Sequence, residues 1–143
     1  MIAARRARLV MRLVQMTPAF LAFGILRHVV PLRTLVQHAS RPSTRLRNPA
    51  DERLQADAAV KLGHIFTPFD RNCLQRSLLL YRTLGKAGAR PQLVVGFRRD
   101  SRGLRGHAWV TVDGQPVVDT PSDVVGFVPT CTFAADGTMT PAT

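Results

Sequence analysis

Cysteine is scarce in this chain of 143 residues: there are only two, Cys73 and Cys131, and they lie far apart. Two distant cysteines form neither a disulfide framework nor the paired Cys-x-x-Cys ligands of a zinc ribbon. Internal repeats and low-complexity blocks are also absent, which excludes a solenoid and a disordered chain. These absences predict one compact domain in a reducing, cytoplasmic setting, without a metal or a cofactor.

Acidic residues are missing from the N-terminal third of the chain. Residues 1–47 contain nine arginines and no aspartate or glutamate, whereas the remaining residues contain eleven basic and nine acidic side chains. A basic segment of this kind meets nucleic acid, an anionic membrane surface or an acidic protein. No aromatic residues alternate with the arginines and no RNA-binding motif accompanies them, so we expect no nucleic-acid partner.

Long uncharged runs are missing as well. The longest one, Leu13–Leu26, is shorter than the roughly 20 residues that a membrane-spanning helix needs. Three arginines precede it as in a signal peptide, but no A-x-A-like cleavage site follows. We therefore expect helices that are broken at Pro18 and Pro31 and that pack on the rest of the domain. Because basic apolar helices also bind membrane surfaces, a weak peripheral association with the inner membrane stays open.

The order of elements predicts an α+β fold, with helices first and an antiparallel sheet after them. The elements expected after a linker at residues 40–49 are helices over Asp51–Leu62 and Cys73–Lys86, then strands over Gln92–Arg98, His107–Val112, Gln115–Asp119 and part of residues 124–133. Residues 101–106 are expected to form a polar loop, and the tail from Ala134 is expected to fray. We divide the single domain into a basic helical segment (1–47), a core (48–133) and a tail (134–143).

Cys73 is predicted to begin a helix. Asn72 is a favourable N-cap, and Gln75 follows three residues later in a capping-box pattern. Backbone N–H groups are unpaired at a helix start and the helix dipole favours negative charge there, so the pKa of a thiol at this position falls. Arg76 adds positive charge nearby. The alternative is that Cys73 is a small buried apolar residue without chemistry.

The hairpin downstream offers the two groups that a cysteine nucleophile needs, a base and an acid that orients the base. His107 opens one strand and Asp119 closes the next. A two-residue turn would pair His107 with Thr120, whereas a three-residue loop with a bulge at Gly114 would pair His107 with Asp119. We predict the bulged turn, because opposed side chains are close enough for a carboxylate to bind an imidazole. Each residue has a structural alternative, a satisfied histidine or a turn-forming aspartate.

These residues resemble the transglutaminase-like cysteine-protease superfamily and, within it, the leader peptidase of lasso-peptide biosynthesis. The matching motifs are Asn72-Cys73-Leu74-x-Arg76-Ser77-Leu78, Leu93-Val94-Val95-Gly96-Phe97-Arg98, Gly106-His107-Ala108-Trp109-Val110, Asp113-Gly114 and Asp119. The resemblance covers residues 50–125 and implies a papain-like core, in which a nucleophile helix packs on a small sheet. It implies Cys73 as nucleophile, His107 as base and Asp119 as orienting acid. Members often carry proline where this chain has Gln75.

The resemblance also implies an activity and partners. The enzyme would remove the leader from a ribosomally made precursor peptide, with the backbone N–H of Cys73 as an oxyanion donor. A separate leader-recognition (PqqD-like) protein is implied, because the chain is too short to carry a fused one, and an ATP-dependent lasso cyclase would use the freed amine. Two alternatives stay open: transglutaminase-type acyl transfer by the same triad, and a non-enzymatic basic adaptor that binds membrane or nucleic acid.

Overall fold

The structure is a computed structural model, and it describes residues 1–66 and 72–141. Helices occupy the N-terminal half of the chain and strands form a sheet in the C-terminal half, so the predicted α+β class is confirmed. The elements are α1 (Ile2–Leu26), α2 (Leu32–Ala39), α3 (Pro49–Phe66), α4 (Cys73–Lys86), β1 (Gln92–Asp100), β2 (Gly103–Val112), β3 (Gln115–Pro116), α5 (Pro121–Val124), β4 (Val128–Phe133) and β5 (Met139–Pro141). The loop predicted over residues 66–70, before Cys73, lies outside the described residues except for Phe66, which ends α3.

The sheet is antiparallel, with the strand order β3-β2-β1-β4-β5. β3 is an edge strand, which suits Pro116 because proline cannot donate a hydrogen bond to a neighbouring strand. The polar loop predicted over residues 101–106 is wrong. Asp100 pairs with Gly103, so only two residues turn the chain and β2 begins four residues earlier than expected. The positive φ of Gly103, 110°, permits this tight turn.

The C-terminal segment joins the sheet instead of fraying as predicted. Residues 139–141 pair with β4 as strand β5. The hydroxyl of Tyr81 donates to the carbonyl of Ala134, and the hydroxyl of Ser40 donates to the carbonyl of Ala135 at 2.7 Å. These two bonds, from α4 and from the residue after α2, hold the turn that returns the chain to the sheet.

α4 is the central helix of the molecule. It contacts β1 and β2 on one side and α1, α2 and α3 on the others. A helix with apolar residues on nearly all sides is typical of such a buried position. The fully buried leucines of α4 are Leu78, Leu79, Leu80 and Leu84. α4, whose first residue is Cys73, is therefore held by packing against both the sheet and the other helices.

α1 is continuous through Pro18, although the sequence predicts a break there. A proline inside a helix costs roughly 3 kcal/mol. Phe20 and Phe23 follow it and are buried against the rest of the domain, which stabilises α1 by about 1.5–3 kcal/mol for each ring. Packing therefore outweighs the local preference. Pro31, by contrast, separates α1 from α2 as predicted, and it precedes the first residue of α2.

α3 continues past Gly63, where the sequence predicts its end. The glycine is explained by a close approach instead. A Cβ at this position would lie 3.1 Å from the side-chain nitrogen of Asn72. That nitrogen donates a hydrogen bond to the carbonyl of Gly63 at 3.0 Å. The glycine thus lets the residue that precedes Cys73 pack directly on α3.

Two arginines of α1 bind α3. Arg12 lies 2.6 Å from Asp51, and Arg5 lies 3.4 Å from Asp57. These contacts join α1 to α3 and leave Arg6 and Arg8 exposed. Arg6 and Arg8 are therefore the arginines of this pair of turns that are available to bind a partner.

Candidate functional site

Cys73 begins α4 as predicted, but the predicted capping box is wrong. Asn72 is the N-cap residue, yet its side chain forms no capping hydrogen bond and binds α3 instead. The amide of Gln75 donates to the backbone carbonyl of Phe20 at 2.6 Å. Both polar side chains are buried, and each donates a hydrogen bond to a backbone carbonyl of a neighbouring helix. A buried amide needs such a partner, and here this need outweighs the capping of α4. They fix the start of α4, and hence the position of Cys73, against α1 and α3.

The hairpin between β2 and β3 has a two-residue turn, not the predicted bulge. Val112 pairs with Gln115, which leaves Asp113 and Gly114 as the turn residues. Their φ angles are 53° and 79°, the type I′ geometry that matches the twist of paired strands. The positive φ of Gly114 is one that the predicted bulge would also have required. Strict continuation of this register would, however, turn the predicted acid away from the predicted base.

Asp119 nevertheless reaches His107, because pairing with β2 reaches only Val117, whose N–H donates to the carbonyl of Val110 at 3.0 Å, and the chain then bends. The Oδ2 of Asp119 lies 2.9 Å from the Nε2 of His107. A capping box between Thr120 and Asp123 begins α5 directly after the bend and fixes the backbone there. The sequence carries this signal, a threonine followed by proline at N1 and an acid three residues later, which favours a helix start over the strand expected up to Asp119.

The thiol of Cys73 and the imidazole of His107 lie close enough to shift each other's pKa. Burial raises the pKa of Cys73, but the hydrogen bond with His107, a backbone hydrogen bond at Ala108 and two nearby charges outweigh it, so the net pKa is lowered. Hydrogen bonds to Asp119 and to Cys73 raise the pKa of His107 to about 9. These two shifts favour the thiolate and imidazolium forms of the pair more than two isolated groups would, and the thiolate is the reactive form of a cysteine nucleophile.

This pairing predicts the pH dependence of thiol reactivity. Alkylation of Cys73 by iodoacetamide should rise with a midpoint below the ordinary thiol pKa of about 8.5. Any reaction that needs thiolate and imidazolium together should also fall as His107 loses its proton near pH 9. The measurement is the alkylation rate against pH, followed by peptide mass spectrometry. Cys131 is an internal control, because burial raises the pKa of that thiol. A Cys73 midpoint at or above that of Cys131 would contradict the ion pair.

Arg76 holds the second oxygen of the Asp119 carboxylate, a contact that the sequence analysis missed. Its Nη2 lies 3.4 Å from Oδ1 of Asp119, and the two side chains are only 18% and 12% exposed. The carboxylate is thus fixed between a guanidinium and an imidazole. Because Arg76 follows Cys73 by three residues on α4, the two side chains share a helix face. That spacing could have predicted that Arg76 lies at the site.

Arg76→Gln is expected to raise the pH midpoint of Cys73 alkylation, because it removes a positive charge beside the thiolate. It should also lower the free energy of unfolding by roughly 3 kcal/mol, since it leaves a buried carboxylate without one partner. Arg82→Gln is the matched control, because Arg82 lies on the same helix and makes no ion pair among the described residues. Titration of alkylation and urea unfolding measure both effects. Equal midpoints for R76Q and the parent protein would remove Arg76 from the site.

Aromatic rings enclose the imidazole. The ring of Trp109 stacks on His107 with centroids 5.7 Å apart, as expected for a residue that packs under the site. The ring of Phe127, which lies outside β2, has its centroid 5.0 Å from that of the imidazole. The guanidinium carbon of Arg98 lies 4.6 Å from the centroid of the Phe127 ring. Phe127 lies in the loop before β4, where no sequence pattern pointed to the site. These rings limit the orientations that the imidazole can take.

Cys131 lies outside this arrangement. It is on β4 opposite Val95 and is a free thiol, as is Cys73. Within residues 1–66 and 72–141, no group of three or more His, Cys, Asp or Glu side chains could hold a metal ion. The groups that do meet are a thiol, an imidazole and a carboxylate, the combination used for acyl transfer through a covalent intermediate.

Comparison with known proteins agrees with this chemistry. A family model described as the transglutaminase-like superfamily matches residues 18–132, more than half of the chain. No curated protein and no solved structure matches the chain. Members of the superfamily are commonly cysteine peptidases or acyltransferases. This chain belongs to the transglutaminase-like superfamily.

Proposed function

We propose that this protein is a cysteine peptidase that removes the leader peptide from a lasso-peptide precursor. The observation that carries the proposal is that the thiol of Cys73, at the start of the central helix, interacts with the imidazole of His107, which Asp119 contacts at 2.9 Å. The finer assignment is supported by the motifs around Cys73 and His107, which resemble those of lasso leader peptidases.

The first half of the proposed reaction forms a thioester. The Cys73 thiolate attacks the carbonyl carbon at the end of the leader, and the carbonyl oxygen becomes an oxyanion. The backbone N–H of Cys73 is at the first position of α4, where it has no acceptor within the helix, so it is free to stabilise that oxyanion. The Nε2 atom of His107 contacts the carboxylate of Asp119. The other ring nitrogen, Nδ1, therefore donates its proton to the departing amine of the core peptide.

The second half hydrolyses the thioester. His107, now neutral, takes a proton from water, and the resulting hydroxide equivalent attacks the thioester carbon. Collapse of the second oxyanion expels the Cys73 thiolate and releases the leader with a free carboxylate. Asp119 stays ionised throughout and keeps the imidazole in the orientation that serves both proton transfers. Water is thus the acyl acceptor, and the products are a leader acid and a core peptide with a free amine.

The proposed pathway has further partners. A separate leader-recognition protein would present the precursor, and an ATP-dependent lasso cyclase would close the ring on the freed amine. We expect the gene to lie beside genes for these two proteins and for a short precursor. That precursor is the substrate to test.

The test is cleavage of the precursor in water enriched in ¹⁸O, with the recognition protein present. Hydrolysis should place one ¹⁸O atom in the carboxylate of the released leader, and mass spectrometry reads this directly. Addition of a primary amine should leave the product unchanged. A leader that instead becomes an amide of the added amine would assign the protein to the acyltransferases. An intact precursor with every partner present would overturn the peptidase assignment.

A further inference from the structure

The outward face of α1 is apolar along most of its length. The large side chains on it are well exposed: Val10 58%, Met11 61%, Val14 68%, Leu21 43% and Ile25 69%. Their spacings of one, three, seven and four residues place them on one side of the helix, opposite the buried side that packs on the domain. We call these five residues the outer stripe. It extends for about 22 Å, and a continuous exposed apolar surface of this kind marks an interaction site.

The chemistry of the outer stripe favours lipid over protein as its partner. No polar side chain interrupts it, and Pro18 and Ala22 fill the positions between its members. Protein interfaces carry about one hydrogen bond per 100–200 Å², and the side chains of this surface offer none. The acyl region of a bilayer requires none, because it presents only hydrocarbon to the helix.

The charges beside the outer stripe have the sign that anionic lipid attracts. Residues 1–47 contain no acidic side chain. Arg6 and Arg8 lie on opposite sides of the stripe, both exposed, and neither forms an ion pair with any described residue. Arginines at the margin of an apolar helix face bind phosphate headgroups while the apolar face enters the interface.

The inner face of α1 indicates that the helix lies on a membrane and does not cross it. By length and composition alone α1 could span a bilayer, and only 17% of its apolar window is buried. Phe20, however, is fully buried, and its carbonyl accepts the hydrogen bond of Gln75 beside Cys73. Insertion of α1 across a bilayer would expose this core and break that bond. The superfamily match begins at residue 18, so the first half of α1 precedes the shared region.

We propose that the outer stripe rests on an anionic lipid bilayer, with α1 parallel to the membrane surface. The stripe enters the boundary between headgroups and acyl chains, and the two exposed arginines bind the headgroups. This inference is independent of the proposed peptidase reaction.

Co-sedimentation of the full chain with vesicles tests the proposal. Vesicles of phosphatidylcholine mixed with phosphatidylglycerol should bind the protein, and vesicles of phosphatidylcholine alone should bind it at least about fivefold more weakly. Val14→Asn combined with Ile25→Asn should weaken binding at least about tenfold. The matched control is Leu104→Asn with Val128→Asn, which alters residues that are 65% and 70% exposed on the sheet. That control should bind as the parent does.

Several outcomes would overturn the proposal. They are failure of the parent to bind, equal binding to both vesicle types, or binding of V14N/I25N that matches the control. If the parent self-associates while V14N/I25N is monomeric, and neither binds vesicles, the stripe is an interface between copies of the chain. If the parent binds only an acidic protein, the stripe is a protein interface. Cys73 alkylation in each variant verifies that the fold is retained.

Discussion

Cys73→Ala is expected to abolish cleavage of the precursor, with a fall in kcat/KM on the order of 10⁴-fold or more. The variant has no atom that can form the thioester, whereas the other groups of the site stay in place. Cys73→Ser should be nearly as inactive, because the serine hydroxyl stays protonated beside an imidazolium. Time courses by mass spectrometry measure cleavage. Because Cys73 is only partly buried, urea unfolding should show a small change in stability.

Cys131→Ala is the matched control for this prediction. It removes the other free cysteine, which lies on β4 away from the imidazole, and it should cleave the precursor at the rate of the parent. Cleavage by folded C73A would end the assignment of Cys73 as the nucleophile. A folded but inactive C131A protein would instead indicate a metal or disulfide role for that residue.

Much of the fold was predictable, because it depends on periodic apolar residues. The leucines of α4 and the alternating residues of β1 and β2 predicted both the central helix and the antiparallel strands beside it. The sequence analysis did not predict α5 and β5, because these elements are short or depend on distant contacts. β5 is formed by residues 139–141, which have no pattern of their own; the hydroxyls of Tyr81 and Ser40 hold the preceding turn at Ala134 and Ala135.

Polar residues near Cys73 were assigned from local rules, and tertiary contacts overrode those rules. Asn72 and Gln75 have the spacing of a capping box, which is a relation within one helix. In the structure each side chain is buried against another helix and satisfies a backbone carbonyl there. The sequence could not show which helices would meet at this point. The position of the helix start was still correct, since it depends on the apolar pattern that follows.

The predicted contact between His107 and Asp119 is present, although the turn argument that led to it is wrong. The predicted turn required strict strand pairing over the whole segment, but the backbone bonds to β2 extend only to Val117. A proline on an edge strand and a capping box at Thr120 together favour an early departure from the sheet. The chemical roles of His107 and Asp119 thus predicted that the two side chains are partners. The path of the backbone depends on the edge-strand proline and the capping box, two local signals that have to be considered together.

His107→Ala is expected to lower kcat/KM on the order of 10³-fold or more, because the imidazole serves as acid and then as base. Asp119→Asn should cost less, because the carboxylate orients the base and does not exchange the proton. His107→Ala should also raise the pH midpoint of Cys73 alkylation, since it removes a hydrogen bond and a charge that lower the thiol pKa. His64→Ala, at an exposed position of α3, is the control and should change neither quantity.

The raised pKa of His107 predicts when this substitution destabilises the fold. Its pKa is about 9 in the folded protein, against about 6.5 in an unfolded chain. The imidazolium contacts therefore contribute their full stability below pH 6.5 and lose it as the pH rises through 9. The difference in unfolding free energy between the parent and His107→Ala should be larger at pH 6 than at pH 10. A difference that is independent of pH, together with unchanged Cys73 alkylation, would show that His107 is not paired with Cys73 and Asp119.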